Sequence, residues 1–159
     1  MEPTLHLTCG LPGSGKTTLA RRLAEERDAF RFTKDELVLA LGGDLYDDEL
    51  RDRVEAALIE LAFELLAAGR SCILDFGLWS REERDALRLR ARAQGARVEL
   101  HVLDVEPDEL LRRTAERYEE APHTTAEIST EQLAEWAASF ERPDEAERRL
   151  FDSAYPGID

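Results

Sequence analysis

The stretch Gly10-Leu11-Pro12-Gly13-Ser14-Gly15-Lys16-Thr17 carries the strongest chemical signal in this sequence. It satisfies the phosphate-binding pattern G-x-x-x-x-G-K-[ST] at every fixed position. Its glycines permit a backbone whose successive N–H groups turn inward on phosphate oxygens. A helix opening at its end adds partial positive charge at the same spot. The binding set expected is Gly10, Pro12, Gly13, Ser14, Gly15, Lys16, Thr17 and Thr18, with Lys16 on the β- and γ-phosphates and Thr17 on Mg²⁺. The ligand implied is ATP or GTP with Mg²⁺.

The elements that must position this loop are legible around it. Leu5 to Cys9 reads as a short strand and Thr18 to Glu26 as a helix, the setting the motif requires. Leu19, Leu23 and Ala24 form that helix's core face. Ala29 to Thr33 reads as a second strand, and Asp35 to about Leu41 as a helix stopped by Gly42-Gly43. Asp47 caps a long helix to about Ala68, with a stripe of Leu50, Val54, Leu58, Leu61 and Leu65, broadened by Ile59, Phe63 and Leu66. Gly69 is its left-handed stop. Ser71 to Asp75 has the apolar run of a strand buried on both faces.

Ser80 to Glu83 is a capping box opening a helix that ends before Gly95. Val98 to Leu103 is a further strand. Pro107 starts a helix, Glu119 to Ala126 is a polar connection, and Ser129 with Gln132 is a second capping box. Arg148 to Phe151 reads either as a last edge strand or as the end of a short helix. Strands alternating with helices call for an α/β fold, a parallel sheet of four to five strands covered on both faces. No composition break suggests a second domain, so residues 1–159 read as one, with a helical lid around 107–128.

In such sheets ligands bind beyond the carboxyl ends of the strands, and three aspartates fall there. Asp35 follows the second strand and is the candidate base for an acceptor hydroxyl, or a helix N-cap. Asp75 closes the third strand as a candidate for Mg²⁺ or for positioning substrate, or as a cap. Asp104 closes the fourth and pairs with a lid arginine or caps the helix at Pro107. Arg113 and Arg117, four residues apart, share a helix face and are candidates to close on the transferred phosphoryl group, or to pair with Glu109, Glu116 and Glu120. Arg81 and Arg84 lie on a strongly charged helix and read as surface. Trp79 and Tyr46 are candidate pocket aromatics, Trp136 and Phe140 core. His6 reads as structural; His123 takes no role.

The formal net charge of −14 repels polyanions and speaks against nucleic acid. No apolar run reaches membrane-spanning length. Cys9 and Cys72 sit in apolar strands, as reduced thiols of a cytoplasmic protein do. No Cys/His spacing of zinc type appears, and Met1-Glu2-Pro3 leaves no room for a signal peptide before the first strand. A monomer or homodimer is equally compatible with this composition.

With the loop, Asp35, Asp75 and the arginines in view, the chain resembles the P-loop kinases described as predicted kinases or AAA-type ATP-binding proteins. Their relatives include polynucleotide kinase kinase domains, zeta toxins and chloramphenicol phosphotransferases. Thr33-Lys34-Asp35 is similar to the family's hydroxyl-activating element, Asp75-Phe76-Gly77-Leu78 to its acceptor loop, and Leu111 to Arg117 to its lid segment. The resemblance implies a P-loop NTPase three-layer α/β/α sandwich with strand order 2-3-1-4. It implies an ATP- and Mg²⁺-dependent kinase acting on a hydroxyl of a small molecule. Several relatives carry an acceptor-gripping arginine where this chain has Val38, which speaks against a phosphorylated or polynucleotide acceptor. A nucleotide-dependent switch with little turnover, and a 5′-hydroxyl polynucleotide kinase, are the other readings.

Overall fold

The computed structural model describes residues 2–153. Its elements run β1 (Thr4–Cys9), α1 (Lys16–Glu26), β2 (Phe30–Thr33), α2 (Lys34–Ala40), α3 (Asp48–Ala67) and β3 (Cys72–Asp75), then α4 (Arg81–Ala93), β4 (Arg97–Val102), α5 (Pro107–Glu120), α6 (Thr130–Ser139) and α7 (Glu145–Arg148). The four strands form one parallel sheet in the order β2-β3-β1-β4. That order puts β1, and hence the glycine loop leaving it, at the centre of the sheet.

Side chains alternate across the sheet. Leu5 and Leu7 of β1, Cys72 and Leu74 of β3 and Val98 of β4 join a core built with Val54, Leu58, Phe63 and Leu66 of α3 and Leu87 and Ala91 of α4. Ile73 joins Ala20 and Leu23 of α1 on a smaller apolar patch, the opposite side of the pleat. β1 and β3 are buried at every residue; in β3 this shows as the apolar run Cys72-Ile73-Leu74, while β1 buries Thr4, His6 and Thr8 as well as its apolar residues. A third cluster, Leu11, Leu110 and Leu133 with Trp79, Trp136 and Phe140 against them, ties α5 and α6 to the glycine loop.

The helix signals hold. Asp47 accepts from the Leu50 N–H at 3.0 Å, and both capping boxes, Ser80 with Glu83 and Ser129 with Gln132, close in both directions. Gly69 takes the left-handed conformation after α3, at φ 79°.

Three expectations change and one open choice is resolved. The α3 stripe runs every fourth residue through Val54, Leu58, Ala62 and Leu66, and Leu61 is 48% exposed. A small Ala62 held the core position while the larger Leu61 drew the periodicity toward itself. The N-cap of α2 is Thr33, so Asp35 stands inside the first turn. The tail takes the helical one of its two expected forms: Glu145–Arg148 is a helical turn capped by Asp144, and the sheet among the described residues has the lower expected number of strands, four. Arg84 is wholly buried rather than on the surface.

That last side chain is a clamp. Its guanidinium meets Glu147 at 2.6 and 3.1 Å and donates to the Leu78 and Glu141 carbonyls, each at 2.7 Å. The loop after β3 is thereby fastened to the chain entering α7.

Candidate phosphate and acceptor site

The loop between β1 and α1 is shaped by two glycines in the left-handed region, Gly13 at φ 82° and Gly15 at φ 98°. The Gly10 N–H donates to the Gly77 carbonyl at 3.0 Å, and the Trp79 indole N–H to the Gly10 carbonyl at 3.2 Å. Gly15 caps α1 without any side-chain hydrogen bond, so that helix end still offers its N–H groups. Ser14 Oγ is buried with no hydrogen-bond partner. Free helix-end donors and an orphaned hydroxyl fit the residues to phosphate.

Lys16, the first residue of α1, points its ammonium back to the Leu11 carbonyl at 2.9 Å. Burial lowers its pKa to about 8; Asp75 and then Asp35 act upward against that, and Arg117 acts downward. All three predicted charged partners therefore lie within electrostatic reach of Lys16.

Asp75 is buried at the end of β3. Its Oδ2 accepts from Thr17 at 2.7 Å and from Thr33 at 2.9 Å, and its Oδ1 receives Thr8 at 3.4 Å. The first turn of α1 and the ends of three neighbouring strands thus converge on one carboxylate. Thr8 belongs to this group by geometry alone, since no local pattern singled it out, whereas Thr33 opens the Thr33-Lys34-Asp35 element.

Asp35 lies at the same edge, with Arg51 of α3 on its Oδ1 at 2.7 Å. Arg51 also donates to the Leu45 carbonyl at 3.3 Å. Lys34 turns away, paired with Glu55 at 2.8 Å and set over the Phe76 ring. One helical turn past Asp35, Leu39 enters a cleft of about 380 Å³ lined also by Asp44, Tyr46, Tyr118, Thr125 and Glu127. The Tyr46 hydroxyl donates to the Glu127 carbonyl across it. The lining includes two acidic residues and no basic one. Trp79 belongs elsewhere, packed beside Trp136 behind the glycine loop.

α5 lies directly on the loop: a Cβ at Gly13 would come within 2.9 Å of Thr114 Cγ2. Arg113 donates to Glu109 at 2.8 Å and reaches the Gly13 carbonyl at 3.4 Å. Arg112 takes Glu109 and Glu116, and the two arginines hold the Glu109 carboxyl down at about 2. Arg117 is exposed. Asp104 pairs with Arg142, beyond α5 and α6, at 2.7 Å, and the N-cap of α5 is Glu106.

Residues 5–143 match the family model described as AAA domain. Among curated proteins none is similar in sequence at a significant level. In solved structures the fold recurs in an RNA repair complex, Pnkp1/Rnl/Hen1, at 23% identity and TM-score 0.74, over 94% of this chain but 46% of that one. The chain thus spans just under half the length of that relative. It recurs in a gluconokinase from Sinorhizobium meliloti 1021 at 23% identity and TM-score 0.65, over 92% and 80% of the two chains. Chaetomium thermophilum Kti12 bound to ADP-AlF3 gives 21% identity and TM-score 0.70, over 92% and 85%. The chain belongs to the AAA-domain family, and its fold is the α/β fold of P-loop NTPases.

Proposed function

We propose that this protein is an ATP- and Mg²⁺-dependent phosphotransferase whose acceptor is a hydroxyl of a small, unphosphorylated alcohol. One observation carries the reading: Asp35, within electrostatic reach of Lys16, stands a helical turn from a cleft without a basic lining residue. A phosphorylated or carboxylate acceptor would enter that cleft with no counter-charge, whereas a neutral or cationic alcohol meets two tyrosines and two carboxylates. Buried Val38 and the net charge of −14 argue the same way against a polynucleotide.

In this reading the loop amides and Lys16 hold the phosphates. The Thr17 hydroxyl and the Asp75 carboxylate would hold Mg²⁺, which neutralises phosphate charge. Arg51 occupies one oxygen of Asp35 and leaves the other for the acceptor hydroxyl. That hydroxyl's oxygen bonds to the γ-phosphorus as the bond to the bridging oxygen of ADP breaks, and Asp35 takes its proton. Arg113 and Arg117 would swing from their resting positions toward the transferred group. The neighbours named above include both a gluconokinase and an RNA repair protein, so the fold leaves the acceptor open, and the charge of the cleft is what supports a neutral or cationic alcohol.

The test is incubation with Mg·ATP and a panel of neutral, cationic, carboxylated and phosphorylated alcohols and RNA ends, read by mass spectrometry. Phosphate on neutral or cationic members is expected. ATP hydrolysis with no member modified would favour a nucleotide switch.

A further inference from the structure

A second cluster of ligating side chains lies on the sheet face to which Ile73 and α1 belong. Register sets His6 of β1 opposite Glu99 of β4, and His101, two residues along β4, returns to the same face. His6 Nδ1 is 3.2 Å from His101 Nε2 and 3.3 Å from Glu99 Oε2, and His101 Nε2 is 3.7 Å from that same oxygen. These three atoms form a nearly equilateral triangle. A point at its centre lies about 2.0 Å from each, the bond length of zinc to imidazole nitrogen and carboxylate oxygen.

The carboxylate supplies an independent pointer. Glu99 is 2% exposed and neither of its oxygens has a donor in hydrogen-bonding geometry. A buried carboxylate whose ion-pair contacts, His6 at 3.3 Å and Arg97 at 3.9 Å, are this long is stabilised further by a cation at bonding distance. Arg97 stands 3.9 Å from Oε1, which leaves Oε2 to the two rings.

We propose that His6, Glu99 and His101 form a zinc site with two nitrogens and one oxygen, its fourth position open to water beside His101, whose side chain is 19% exposed. Arg27 and Arg22, at the end of α1, act on the same ring and oppose a dication. The site therefore selects a metal with strong affinity for imidazole, zinc over magnesium or calcium. Bound there, zinc ties the edge strand β4 to β1, apart from the phosphate loop.

The test takes the full chain, stripped by a chelator and dialysed against Zn²⁺ in excess Mg²⁺. One zinc per chain is expected, with a raised melting temperature, and Co²⁺ in its place should give the intense visible bands of a four-coordinate ion. Glu99→Gln and His101→Ala should each weaken zinc binding at least tenfold, with His123→Ala and Asp75→Asn unchanged. Failure of the wild-type chain to retain zinc would overturn the proposal, with no variant needed. Equal retention by a folded His101→Ala chain, or loss in Asp75→Asn, would overturn it as well.

Discussion

The Thr17 hydroxyl donates to Asp75 Oδ2 at 2.7 Å, joining the first turn of α1 to the end of β3. The pair unites a residue of the glycine motif with one that lies 58 residues further along the chain. Thr33 shares the same oxygen at 2.9 Å, so the carboxylate is also the hinge between the loop and the element carrying Asp35.

Asp75→Asn keeps the shape of this junction but removes its charge and one acceptor. We predict that Mg²⁺-dependent nucleotide affinity falls by tenfold or more, while affinity measured with excess EDTA changes little. Stability should drop by about 1.5–3 kcal/mol, the worth of a hydrogen bond to a charged group. Calorimetric titration with and without Mg²⁺ separates the two effects.

Nucleotide binding should weaken as pH rises through about 8. In the proposed role Lys16 binds phosphate as an ammonium, and burial lowers its pKa to that value. Below pH 8 the charge is present and affinity is flat; above it, affinity falls by up to about tenfold per pH unit. Asp75 and Asp35 hold the proton on and Arg117 pushes it off. Asp35→Asn should therefore move the midpoint down and Arg117→Ala move it up, in binding curves measured from pH 6.5 to 9.5.

Arg84→Ala should destabilise the fold by about 3–5 kcal/mol, because Glu147 is left buried without its partner. The double change Arg84→Met with Glu147→Leu should recover part of that loss, the Leu78 and Glu141 carbonyls still lacking their donor. Urea denaturation of the three proteins measures it. No recovery would mean that the clamp acts through those carbonyls alone.

Local patterns made the donor half of the site readable. The loop motif is contiguous, and Asp35 and Asp75 mark strand ends that alternation of strand and helix places at one edge. Arg84 was not readable, because Arg81-Glu82-Glu83-Arg84-Asp85 has the alternating charge of a solvated helix and the partner Glu147 lies 63 residues on. Arg51 is separated from Asp35 by a helix and a loop, and the pairing depends on how α3 crosses α2. His6, Glu99 and His101 have no metal-type spacing in the chain; only the register of β1 against β4 assembles them. Ala62 was not readable because its small apolar side chain adds little to a stripe whose neighbour Leu61 is larger yet 48% exposed.

The central claim is that Asp35 acts on the acceptor while Lys16 holds the nucleotide. The most direct measurement compares wild-type and Asp35→Asn chains for phosphate transfer to whichever alcohol the panel identifies, alongside their ATP dissociation constants. The account predicts that transfer falls by about 10²–10⁴-fold with ATP affinity within about twofold of wild type. Transfer at the wild-type rate in the Asp35→Asn chain would contradict it.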